Sequence, residues 1–87
     1  MRKIIDGKLY DTDTATTVLI YTLELKDYPN NFGTKTLYKK KSGEYFFHSN
    51  LLWHDFIDKA DEEEVKKWVA NKFTIEEYET IFGEVEE

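Results

Sequence analysis

Eighty-seven residues form one small domain, 1–87, and a chain of this size buries only about 60–65% of the surface its unfolded form exposes. Its aromatic residues, 16% of the chain, must therefore supply much of the core. The lack of cysteine excludes a disulfide framework, thiolate catalysis and a Cys-based zinc site, and fits a reducing cytoplasm. The net charge of −6 is lopsided: Met1 to Ile57 holds eight Lys/Arg against seven Asp/Glu, whereas Asp58 to Glu87 holds four against eleven.

In chain order, "RKIIDGKLY" predicts two short strands around Asp6-Gly7, a dipeptide suited to the positive φ angles of a type I′ turn. "DTDTA" offers side-chain oxygens that favour a turn. "TTVLIYTLEL" is β-branched and aromatic, and places Leu19, Tyr21, Leu23 and Leu25 on one face of a strand. Its apolar run, "VLIY", is far too short to span a bilayer. "KDYPNNFGTK" reads as a surface loop around Pro29 and Gly33. "TLYKKKSGEYFFH" predicts a second hairpin. With a two-residue Ser42-Gly43 turn, Tyr38 stands opposite Phe47 and Lys40 opposite Tyr45, so Tyr38, Tyr45 and Phe47 share one face while Leu37, Lys39, Phe46 and His48 share the other.

"SNLLWHDFIDKA" fits either a short helix or an extended segment laid over the sheet. Beyond it, Asp61 and Glu64 have capping-box spacing, and Val65, Trp68 and Val69 form the apolar stripe of a helix that reaches Asn71. Thr74 and Glu77 repeat the box, Ile75, Tyr78, Ile81 and Phe82 repeat the stripe, and Gly83 is placed to end the helix. The expected fold is α+β: a small antiparallel sheet of three to five short strands with two C-terminal helices packed on one face.

Three kinds of site compete. His48 and His54, with Asp55 and Asp58 as oxygen donors, would make a zinc site, but along one strand the two imidazoles lie roughly 20 Å apart at about 3.3 Å per residue, and only a bend near Ser49-Asn50 would join them. Lys39, Lys40 and Lys41, interleaved with Tyr38 and Tyr45, would make a small nucleic-acid platform, against which the overall negative charge works. No G-x-S-x-G, H-E-x-x-H, phosphate-binding loop or dinucleotide glycine pattern is present, so neither catalysis nor a cofactor is expected. The third kind is the acidic last third. Helix-dipole capping accounts for Glu62, Glu63, Glu64, Glu76 and Glu77, but disfavours Glu79, Glu84, Glu86 and Glu87 near or beyond the second helix's C-terminus. A positively charged partner surface would select for such charge. The expected partner-binding residues are Glu62, Glu63, Glu76, Glu79, Glu84, Glu86 and Glu87, with Trp53 as an aromatic anchor.

"KIIDGKLYDTDTA", "TLYKKKSGEYFFH" and "EEEVKKW" followed by "YETIFGEVEE" together resemble a family of small proteins found in phages and mobile elements of Gram-positive bacteria. The chain departs from the family in having "SNLLWHDF" where a glycine-rich stretch follows the central hairpin. In size, acidity and lack of catalytic motifs it is similar to anti-CRISPR inhibitors, which occupy nucleic-acid-binding surfaces of an effector nuclease. The resemblance implies an inhibitor acting in the bacterial host's cytoplasm on a defence nuclease, a CRISPR effector such as Cas9 being the type of partner, with no membrane association.

Overall fold

The computed structural model describes residues 1–24, 32–51 and 54–84. They form β1 (Arg2–Ile5), β2 (Lys8–Asp11), β3 (Thr16–Glu24), β4 (Phe32–Lys39), β5 (Tyr45–Leu51), β6 (His54–Ala60), α1 (Glu62–Lys72) and α2 (Ile75–Phe82). Strands β3 to β6 make a four-stranded antiparallel meander in sequence order, and β1–β2 make a separate two-stranded sheet. The fold is α+β as expected, with both helices on one face of the meander and the first hairpin on the other.

The first hairpin turns at Asp6 (φ 52°) and Gly7 (φ 77°), the pair of positive φ angles that a type I′ turn requires, and Ile5 pairs with Lys8 on either side. The turn that follows is held by Asp11, whose Oδ1 accepts from the Asp13 N–H at 2.9 Å and whose carbonyl accepts from the Ala15 N–H at 3.2 Å. In β3, Leu19, Tyr21 and Leu23 share the helix-facing side, while Leu25 lies outside the described residues. The loop expected over 26–35 ends sooner: Phe32 to Lys35 already belong to β4. Gly33 allows this, because a Cβ there would meet the Leu51 side chain and lie 3.2 Å from the Asn50 carbonyl.

The central hairpin corrects the expected register by one residue. Lys40 N–H donates to the Glu44 carbonyl at 2.8 Å and Gly43 N–H to the Lys40 carbonyl at 2.9 Å, so the loop is Lys41-Ser42-Gly43, with Gly43 at φ 94°. A three-residue loop of this kind needs a left-handed residue at its end, and glycine supplies it. Leu37 therefore faces Phe47, Tyr38 faces Phe46 and Lys39 faces Tyr45. One slip exchanges the faces: Leu37, Phe47 and Tyr45 meet the helices, while Tyr38 and Phe46 turn to the hairpin side.

The described part of the ambiguous segment is extended. Ser49 to Leu51 complete β5, and His54 to Ala60 form β6, with Leu51 opposite His54 and Tyr45 opposite Ala60.

Both helices start as their caps predict. Asp61 accepts from the Glu64 N–H at 2.8 Å, and Thr74 and Glu77 close a reciprocal box. Val65 and Val69 are fully buried against Leu37 and Phe47, joined by half-buried Trp68, Phe73, Tyr78, Ile81 and Phe82. Ile75 departs from its expected stripe: at the first helical position of an eight-residue helix it stays 69% exposed. On the opposite face Tyr10, Phe46 and Ile57 form a second, smaller core, with Phe46 edge-on to Tyr10 at 5.5 Å and stacked on Tyr38 at 5.1 Å.

Candidate functional site

The acidic residues gather where the helices begin. Asp61 to Glu64 occupy the cap and first turn of α1, and Glu76 and Glu77 the first turn of α2, positions where the helix dipole stabilises carboxylates. Their roles differ. Glu77 turns back into the cap, its Oε1 accepting from the Thr74 N–H at 3.3 Å and the Thr74 hydroxyl at 3.0 Å. Glu62 lies 3.4 Å from Lys66 one turn on. Glu63, Glu64, Glu76, Glu79 and Glu84 are exposed, and among the described residues Glu62 alone of the helical carboxylates pairs with a cation. Residues 61–84 contain eight carboxylates against three lysines, all three on α1, so α2 and its flanks carry negative charge only. Trp53, Glu86 and Glu87 lie outside the described residues.

The acidic rim continues across a groove of about 470 Å³ between the central hairpin turn and the start of α1, lined by Tyr10, Glu44, Tyr45, Lys59, Glu62 and Glu64. Glu44 is the best anchored carboxylate there, 3.4 Å from Lys8, 3.9 Å from Lys40, and accepting from the Tyr10 hydroxyl at 3.4 Å. Desolvation pushes its pKa up, but Lys40 and then Lys8 outweigh it and hold the carboxyl below its ordinary value.

The histidines are not brought together. Along antiparallel strands side chains alternate, so His48, opposite Ile57, points to the hairpin side, whereas His54, opposite Leu51, points to the helix side. The sheet stands between the two imidazoles. Asp58 shares the helix side with His54, and among the described residues no group of three or more His, Cys, Asp or Glu is disposed to hold a metal ion. His48 instead meets Asp55 across the strand pair, Nε2 to Oδ1 at 2.9 Å, and Asn50 Nδ2 donates to the same oxygen at 2.9 Å. The Asn50 and His48 hydrogen bonds hold the Asp55 carboxyl below its ordinary value. This polar ladder escaped the sequence reading because it needs the β5–β6 pairing; the alternation His48-x-Asn50 followed by Asp55-x-Ile57 was its available signal.

The lysines are divided in the same way. Lys39 lies over Tyr45 at 5.5 Å on the helix side, Lys40 over Tyr10 at 4.2 Å on the hairpin side, and Lys41 sits in the loop. Tyr38 and Tyr45 point to opposite faces, so the expected lysine–tyrosine platform is not assembled on one surface.

Comparison with known proteins finds no matching family, curated protein or solved structure. No helix among the described residues is long and apolar enough to cross a membrane. The surface chemistry that remains is a helical layer in which carboxylates outnumber lysines eight to three over residues 61–84.

Proposed function

We propose that this chain is a small inhibitor of anti-CRISPR type, which presents its acidic helical layer to the basic nucleic-acid groove of a bacterial defence nuclease and so excludes the nucleic acid. The observation that carries this reading is the exposed set Glu63, Glu64, Glu76, Glu79 and Glu84 on a layer with a single ion pair among the described residues. Carboxylates left unpaired at a surface contribute little to folding, whereas aligned against a positive groove they steer association and favour one partner over others. Val65, Trp68 and Val69 fix α1, and Tyr78, Ile81 and Phe82 fix α2, to the sheet through their apolar sides, leaving the charged sides outward.

The quadruple variant Glu63→Gln, Glu76→Gln, Glu79→Gln, Glu84→Gln tests it. A nuclease captured with the wild-type chain from the bacterial host should bind the variant with an on-rate at least about tenfold lower at low salt, and the difference should shrink as ionic strength rises. The melting temperature should hardly move. Undiminished inhibition of nucleic-acid cleavage by the variant would refute the acidic-surface reading.

A further inference from the structure

The two outer strands of the meander are built differently. β6 carries His54, Asp55, Asp58 and Lys59 within seven residues, and Lys59 is ion-paired to Asp6 of the first hairpin, so that edge is both charged and attached to a neighbour. β3 has no charged residue, proline or glycine from Thr16 to Leu23. Among the described residues no strand pairs with its outer side. Charge, proline, bulges and cover are the devices that keep sheet edges from pairing with another chain, and among the described residues β3 has only Glu24 at its end and one irregularity near its start. Its one irregularity, between Thr17 and Leu19, lies near its start and leaves Leu19 to Glu24 in regular register with β4. Ile20, within that regular stretch, is 59% exposed.

We propose that β3 pairs antiparallel with β3 of a second copy of this chain, about a two-fold axis near Tyr21, joining two meanders into one continuous sheet. Self-pairing fits the side chains. With the axis at Tyr21, Leu19 meets Leu23 of the other copy on the helix side, and the exposed Ile20 meets Thr22 on the opposite side, so each face of the strand continues into its like. It fits the charge as well. Copies of net charge −6 repel through most of their surface, and this edge is uncharged from Thr16 to Leu23, with Glu24 meeting Val18 of the other copy rather than a like charge. On the helix side Trp68 and Phe73 pack edge-on against Tyr21 at 6.3 and 5.9 Å and Lys72 lies over its ring at 5.5 Å, so α1 covers a face of β3.

A pairing of about five to seven residues around Tyr21 buries an area at the small end of specific interfaces, below about 1,200 Å², so the dimer should be concentration-dependent. Sedimentation equilibrium of the full chain should show a reversible monomer–dimer equilibrium, and the variant Ile20→Lys with Thr22→Lys should weaken it at least about tenfold by placing like charges opposite one another. Because the chain has no cysteine, a second measurement is available that survives misfolding of the lysine variant. An equimolar mixture of Ile20→Cys and Thr22→Cys chains should oxidise mainly to the mixed disulfide dimer, and much faster than chains carrying Ile4→Cys, an exposed residue of the other sheet. A wild type that stays monomeric up to about 1 mM, near the weakest specific affinity, would overturn the proposal. So would a dimer indifferent to the lysine pair, or cross-linking with no preference over the Ile4 control.

Discussion

The two faces of the meander are covered in different ways. On the helix side Leu37, Phe47, Val65 and Val69 are buried, and each such apolar side chain contributes about 1.5–3 kcal/mol. On the hairpin side the buried set is Tyr10, Phe46 and Ile57, and polar contacts surround it: Lys59 with Asp6, Lys8 and Lys40 with Glu44, and the Tyr10 hydroxyl with Glu44. The difference follows from the covering element. Two capped helices bring wide apolar stripes, while a two-stranded hairpin of four-residue strands is marginal by itself and offers few inward positions. One face is therefore held mainly by apolar area, with lysines laid over its aromatic rings, the other by a smaller area with ionic contacts at its margins.

Separating the faces by mutation should give the largest effects. Phe46→Ala removes the ring lying between Tyr10 and Tyr38 and should cost about 3–5 kcal/mol by urea denaturation, while Leu37→Ala on the other face should cost about 2–5 kcal/mol. Native-state hydrogen exchange distinguishes them. Phe46→Ala should speed exchange in β1 and β2 more than in α1, and Leu37→Ala should do the reverse; identical exchange patterns would mean that the two faces form one cooperative unit. A smaller effect sharpens the helix side. α2 contains no fully buried residue, so its start depends on the Thr74–Glu77 box, and Thr74→Ala should cost about 1 kcal/mol with a loss of helical circular dichroism confined to one short helix. Unchanged stability would show that Tyr78, Ile81 and Phe82 hold α2 without its cap.

The same contrast explains what the sequence made legible. Local signals worked on both faces: Asp6-Gly7 for the turn, Asp61 and Thr74 for the helix starts, and Gly83, at φ 89°, for the last helix's end. What failed was non-local. Ser42-Gly43 is compatible with both a two-residue and a three-residue loop, and the choice depends on whether Lys40 or Lys41 ends the strand, which tertiary packing of Leu37 and Phe47 decides. That one-residue difference assigned Tyr38, Tyr45 and the lysines to the wrong neighbours. The strand β6 was hidden for a related reason, since charged residues on an edge strand mask the period-two pattern. The acidic residues of the helical layer were legible because exposure needs no pairing to be inferred, whereas the separation of His48 from His54 required the β5–β6 register.

Acid should act on the hairpin side first, and weakly. In the folded chain the Lys59 hydrogen bond and charge hold the Asp6 carboxyl below its ordinary value, and Lys40 and Lys8 do so for Glu44 against desolvation. A carboxyl depressed by folding contributes stability above its unfolded pKa, about 3.9 for Asp and 4.3 for Glu, and that contribution is lost as the pH falls through the folded value. Stability should thus be flat from neutral pH down to about 5 and decline below it as these groups are protonated. Lys59 is shifted the other way: its hydrogen bond to Asp6, then the Asp6 charge, raise its pKa, so its contribution is complete below its unfolded value, about 10.4, and is lost as the pH climbs through the raised value. One exposed pair therefore shapes both limbs of the pH profile. Asp6→Asn should flatten the alkaline limb and reduce the acid limb, shifting the urea midpoint little at pH 7, while a matching change on the helical layer, Glu79→Gln, should leave both limbs as they were. An acid limb that persists in Asp6→Asn would be assigned to Glu44 and Asp55, and an alkaline limb that persists would show that the hairpin's ionic contact with β6 has no measurable part in holding that face.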